Sequence, residues 1–295
     1  MSEAADTATP SVPPAAPPGR NSIYRHGLIV RITHWVNAGA LAILLMSGLN
    51  IFNAHPALYW GEQSHFDRPA LSMQAVRGPD GTSRGITTLG PLTIPTTGVF
   101  GLSGASGRQE ARGFPAWLTL PSQRDLASAR HWHFFFAWVL VLNGLAYVGS
   151  GLASRHVQRH LWTPLRELKF IPHEISNHLR LRFPQGEAAR GYNVLQKLSY
   201  FGVIFLLLPL IVLTGLTMSP GLDAAFFNAL PTMFGGRQSA RTLHFIAAAA
   251  LTGFFIVHVG MVLISGVGNN LRSMITGRYV LPQPKVRPPK PEAAQ

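Results

Sequence analysis

Five histidines stand in or at the edge of long apolar stretches of this chain: His34, His131, His133, His244 and His258. A neutral imidazole offers a metal one nitrogen lone pair while its other ring nitrogen donates a hydrogen bond, and an ionisable side chain held in hydrocarbon is a functional candidate by default. His244 and His258 share one run, TLHFIAAAALTGFFIVHVG, in which nothing else ionises. On a helix, their separation of 14 residues is roughly 21 Å of rise and about 3.9 turns. Both rings therefore leave nearly the same face at opposite depths. They cannot share one metal, so each needs a partner on another helix.

The chain has no cysteine, which excludes disulfides, thiolate nucleophiles, cysteine-ligated iron–sulfur clusters and CxxCH haem attachment. A metal must then be held by histidine, carboxylate or methionine. Of the 295 residues, 47% are hydrophobic and 13% charged, far from the roughly 25% charged residues of a soluble domain. A membrane protein fits better. The net charge of +13 raises nucleic acid as a partner, but basic residues of membrane proteins concentrate in cytoplasmic loops.

Runs long and apolar enough to cross a bilayer lie at about 28–52, 131–152, 198–219 and 243–267, and none contains Asp or Glu. The loop 153–197 carries eight Lys/Arg against three acids, while only Arg237 and Arg241 precede the fourth span. Arg272, Arg278, Lys285, Arg287 and Lys290 follow it. The positive-inside rule then puts both termini and the middle loop in the cytoplasm. The charge reads as topology and no nucleic acid is expected. The loop 53–130, with 78 residues, is the main extracytoplasmic element. Within it ITTLGPLTIPTTGVFG (86–101) reads as a β-hairpin and PSQRDLASAR (121–130) as a helical lead-in. In the middle loop, TPLRELKFIPHEISNHLRLRF suits a headgroup interface, with Pro172 as an interruption. The Pro- and Ala-rich segment 1–24, without an apolar h-region, and the segment 280–295 read as disordered tails.

Orientation assigns depth. His34 lies near the cytoplasmic end of the first span, and His133 near the outer end of the second. His244 is at the outer level and His258 at the inner. Depth pairs His34 with His258 and His133 with His244. Two facing imidazoles in an apolar bundle without a thiolate suit a six-coordinate b-type haem. A packed, hydrogen-bonded core histidine would account for any one of the four, but not for two depth-matched pairs. His131, two residues from His133, points about 200° away on a helix. Gly48, fourteen residues after His34, lies on the His34 face at the depth of the other haem, where it would admit a porphyrin edge or serve plain helix packing. Trp35, Phe134, Phe135, Phe136 and Trp138 read as lipid-facing belt or bundle packing.

RITHW (31–35), RHWHFFFAW (130–138), GYNVLQKLSY (191–200) and RTLHF (241–245), with the fourteen-residue histidine spacing, make the chain similar to the prokaryotic cytochrome b561 family over about 25–279. These are four-helix dihaem cytochrome b subunits of hydrogenase, formate dehydrogenase or thiosulfate reductase type. The resemblance implies an all-α membrane protein of the bacterial inner membrane, a four-transmembrane-helix up-down bundle with haem between helices. A long extracytoplasmic loop would join the first two spans, and a cytoplasmic interfacial helix would lie between the second and third. It implies two haem b groups, one on His34 and His258 (inner) and one on His133 and His244 (outer). It also implies a quinone near Tyr192, Asn193 and Gln196, whose amides hydrogen-bond a carbonyl without adding charge. The alternative for the two amides is a helix cap.

The expected role is that of an electron-transfer subunit, not the substrate-converting one. It would link an extracytoplasmic oxidoreductase subunit, of molybdopterin or hydrogenase type, to the quinone pool in membrane lipid. The long first loop departs from the smallest members of the family and suits a docking platform. Two alternatives remain open on the residues: a self-contained superoxide:quinone oxidase of the same fold, and a haem-free transporter or channel, against which the lack of carboxylates in the spans speaks.

Overall fold

The computed structural model describes residues 22–105, 107–154, 164–182, 191–225 and 229–281. Four of its helical segments are long and apolar enough to cross a membrane: Leu28–Phe52, Leu126–Ala153, Val194–Thr217 and Arg237–Ile264. The first is α1 and the second α2. Short α3 (Ile171–Leu179) precedes the third, which is composite: α4 (Val194–Gly202), a π-helical turn at Val203–Leu207, and α5 (Leu208–Thr217). The turn sits just ahead of Pro209, which has no N–H to return to the carbonyl four residues before it, so the ladder widens there. Short helices α6 (Pro220–Ala225) and α7 (Ala229–Met233) lead to α8 (Arg237–Ile264), and α9 (Val267–Thr276) follows it.

Side chains such as Leu142, Leu145, Leu206, Ile256 and Val257 project outward from these helices and are exposed. Such a surface suits lipid, where the backbone must satisfy itself within the helix. Between α1 and α2 the contact is partly polar: the Asn143 amide donates to the Thr33 carbonyl (2.8 Å) and to Asn37 Oδ1 (2.7 Å). In hydrocarbon such bonds hold helices together and in register.

The region between α1 and α2 departs from the all-α expectation. It folds as an antiparallel sheet in the order β2 (Ala57–Leu58), β3 (Leu71–Arg77), β4 (Ser83–Leu89), β5 (Leu92–Pro95), with a second pair, β6 (Gly101–Ser103) and β7 (Glu110–Arg112). The expected hairpin exists as β4–β5, turning between Leu89 and Leu92. Its neighbour β3 pairs with β4 along seven residues. Residues 121–125 are not helical; α2 starts at Leu126, with Asp125 accepting from the Ser128 N–H as its N-cap. Pro172 marks the break in the middle-loop segment, where a 3-10 helix (Leu165–Phe170) gives way to α3. It occupies the first turn of α3, where a missing N–H costs nothing.

The sheet is seated on the bundle by buried contacts. Phe52, Leu58, Met73 and Phe114 form a core with Phe245 of α8 packed against it. Asn53 exchanges two bonds with the Phe114 backbone, at 2.7 and 3.1 Å, and Asn50 donates to the Pro121 and Gln123 carbonyls at 2.9 and 3.1 Å. Arg112, 3% exposed, is fully engaged by the Phe114 and Ser122 carbonyls, Thr119 and Glu110. The Gly61 carbonyl accepts from the first N–H groups of α8, Gln238 and Ser239, both at 3.1 Å. Gly236, with φ +112°, makes that approach possible, since a Cβ there would strike the Gly61 backbone.

At the opposite end β1 (Ser22–Tyr24) pairs with β8 (Arg278–Val280), so residues 22–24 and 280, expected in the tails, belong to a two-stranded sheet. Trp35 Nε1 donates to the Met274 carbonyl at 3.1 Å, and Arg31 donates to the Ile275 carbonyl. The tail expectations for 1–21 and 282–295, and the basic residues Arg155, Arg159 and Arg190, lie outside the described residues.

Candidate functional site

The four histidines meet in two pairs. His34 of α1 faces His258 of α8 with ring centroids 6.2 Å apart and planes at 55°. His133 of α2 faces His244 of α8 at 6.2 Å and 58°. The second pair lies at the sheet end, since Arg241 and Thr242 of α8 donate to the His55, Ala57 and Tyr59 carbonyls of the loop. The first lies at the end closed by β1 and β8. His131 is exposed, as its 200° offset predicts.

A metal shared by two imidazoles sets their ring centres about 6.2 Å apart, from bonds of about 2.0 Å and about 1.1 Å between each coordinating nitrogen and its ring centre. Both pairs match that spacing. Among the described residues no group of three or more His, Cys, Asp or Glu stands close enough to cage a metal ion. Two protein ligands leave a first-row metal short of the four or more it takes. A planar macrocycle supplies the other four in a plane, so the pairs fit a haem better than a bare ion.

The sheet-end rings are held through their second nitrogens. Ser47 Oγ lies 3.1 Å from His133 Nδ1, and Thr214 Oγ1 lies 3.1 Å from His244 Nδ1. Each hydroxyl is also 2.7 Å from the carbonyl four residues back, Ile43 for Ser47 and Leu210 for Thr214. A carbonyl only accepts, so the single hydroxyl proton is committed to it. The oxygen can then only accept from the imidazole. Nδ1 carries the proton and Nε2 presents its lone pair, which is the tautomer a metal needs.

A glycine follows each hydroxyl. A Cβ on Gly48 would meet His133 Cε1 at 3.2 Å, and one on Gly215 would meet His244 Cε1 at 3.3 Å. Gly48 thus stands where the fourteen-residue count put it, at the sheet-end pair, with the His133 ring as its neighbour. Sequence reasoning missed Ser47 and Thr214, although the repeated hydroxyl–Gly–Leu of SGL (47–49) and TGL (214–216) was a signal. At the other end the rings lean on aromatics: His34 meets the Trp35 edge at 5.2 Å, and His258 stacks on Phe254 at 5.6 Å.

Tyr192, Asn193 and Gln196 come together at the start of α4. Asn193 Oδ1 accepts from the Gln196 N–H (2.9 Å), and Gln196 Oε1 accepts from the Asn193 N–H (3.2 Å), a reciprocal capping box. The cap uses the oxygens only. Tyr192 lies under the Arg25 guanidinium, 5.5 Å from its ring centre, and meets Tyr200 edge-on. Burial raises the Tyr192 phenol above its ordinary value, against the opposing charge of Arg25.

Four apolar helices with imidazoles facing across the bundle define the class of helical membrane proteins built around a planar metal cofactor. The chain belongs to the prokaryotic cytochrome b561 family, which it matches over residues 25–277. It is accordingly a multi-pass haem b protein of electron transfer in the bacterial inner membrane. It is also 28% identical, over 84% of its length and 93% of the relative's, to the "Putative protein-methionine-sulfoxide reductase subunit YedZ1" of Azospira oryzae. No solved structure matches the chain.

Proposed function

We propose that this protein is the dihaem membrane subunit of a two-part oxidoreductase, passing electrons between an extracytoplasmic partner and the quinone pool. The observation that carries this is the use of one helix, α8, by both imidazole pairs, fourteen residues apart. In this reading His133 and His244 hold the outer haem and His34 and His258 the inner one. Bound haem supplies a one-electron carrier at each level. The four histidines would hold the haems through neutral imidazole nitrogens, while the apolar faces of α1, α2 and α8 would exclude water.

The sheet between α1 and α2 lies outside, over the outer pair, and forms the face a redox partner would meet. The relative is named as a putative subunit of a protein-methionine-sulfoxide reductase, which supports a reductase as the partner class. At the inner end the Tyr192 phenol and the amide NH2 groups of Asn193 and Gln196 supply donors to a quinone carbonyl.

Reduced-minus-oxidised spectroscopy with haem quantitation tests this reading. Two b haems per chain are expected, with one lost in His133→Ala and the other in His34→Ala. One haem in the wild type, or none, overturns it. Fast quinone reduction by the purified protein with superoxide as sole donor would favour a self-contained oxidase instead.

A further inference from the structure

We infer that Ser47 and Thr214 are positioning residues that set the reduction potential of the outer haem alone, holding it below that of the inner. The inference rests on the dihaem reading above. Its basis is a difference between the ends of the bundle. Each sheet-end imidazole gives its Nδ1 proton to a hydroxyl whose own proton is tied to a helix carbonyl. Thr214 is 0% exposed and Ser47 0% exposed, so water does not compete for these oxygens. His34, by contrast, has a buried Nδ1 with no hydrogen-bond partner among the described residues.

A hydrogen bond accepted from Nδ1–H makes the imidazole a stronger electron donor through Nε2. A stronger donor favours the ferric over the ferrous state, which lowers the potential, and second-sphere hydrogen bonding is one of the protein's levers on haem iron. The glycines make the contact possible. Gly48 and Gly215 let each ring close to van der Waals distance of the helix that carries its hydroxyl. The same serine–glycine or threonine–glycine unit thus serves both outer ligands, from α1 for His133 and from α5 for His244. The consequence is a downhill step from the outer to the inner haem, which favours electron entry at the sheet end and exit at the quinone end.

The test is a spectroscopic redox titration of the full-length protein, with low-temperature electron paramagnetic resonance to separate the two ferric signals. Ser47→Ala and Thr214→Val should each raise the outer potential by about tenfold in the equilibrium constant, or about 59 mV for one electron, and shift only the outer ferric signal. Ser47→Thr, which keeps the hydroxyl, should restore both. Loss of the outer haem alone in Ser47→Ala, with retention in Ser47→Thr, also supports the assignment. Unmoved potentials, equal shifts of both haems, or loss of both haems would overturn it. His133→Ala separates the two levels: if it leaves both haems in place the dihaem reading fails, whereas if it removes one that Ser47→Ala and Thr214→Val do not move, only this inference fails.

Discussion

Burying an imidazole between helices removes water from both ring nitrogens, and a polar atom without a partner in such a place costs roughly 1–3 kcal/mol. His133 meets this demand through Ser47 on one nitrogen, leaving the other for a metal. The amides at the foot of α4 present a different case, since they cap the helix and are also the proposed quinone donors. Asn193→Asp separates the two roles, because Asp is an equally good N-cap but has no NH2 donors. Thermal stability in detergent should hold, while oxidation of the reduced protein by quinone should slow about tenfold, the worth of one net hydrogen bond. Asn193→Ala should lose about 1 kcal/mol of stability as well. His55 offers a pH signature outside the spans. Burial first, and the Arg241 charge second, lower its pKa below the ordinary 6.5. The unfolded chain therefore binds this proton more readily, so stability is full above pH 6.5 and falls as the pH drops through the folded pKa. Melting at pH 7.5 and 5.5 should show a smaller acid loss in His55→Gln than in the wild type. The histidine pairs were legible in the sequence because depth and helical period constrain a membrane helix tightly. Ser47 and Thr214 were not, because a hydroxyl bonded to the carbonyl four residues back is what any buried Ser or Thr does in a membrane helix.

The elements differ in how clearly composition announced them. Helix α1 begins and ends where its apolar run does, at Leu28 and Phe52. The other three spans start several residues earlier than their apolar runs, since polar first turns such as Arg237–Gln238–Ser239 join the helix by bonding outside it. The sheet was visible only as the β4–β5 hairpin. Strand β3 carries Gln74 and Arg77 among its apolar residues and is held mainly by pairing with β4, a long-range fact that no local pattern contains. The join between sheet and α8 has a sharp dependence on Gly236. Gly236→Ala places a Cβ against the Gly61 backbone at a φ of +112°, so it is strained in conformation and in contact. The expected loss is about 2 kcal/mol or more, read as a lower melting temperature and faster proteolysis of the 57–112 region. An unchanged melting temperature would mean that the sheet is not seated on the α8 terminus through this contact.

For the whole molecule, the arrangement has a direction only if the membrane gives it one. In the proposed orientation, the positive-inside rule puts the basic middle loop and the segment after α8 in the cytoplasm. The Gly61–Ser239 and Arg241–Ala57 contacts tie the sheet to the end of the bundle that holds His133 and His244, which is the outer end in that orientation. Reversal of the chain would invert the order of the two sites while leaving every distance within it unchanged, so internal geometry alone does not decide orientation. The proposed orientation rests on charge, in loops short enough for the positive-inside rule to count. The exposed turn at Asp80–Gly81, between β3 and β4, is a place where a protease site can be inserted without touching the bundle. In spheroplasts, protease added outside should cut that turn and spare a tag at the C-terminus. Cutting of the tag alone would put the His34–His258 pair outside, and would reverse the assignment of partner and quinone to the two ends.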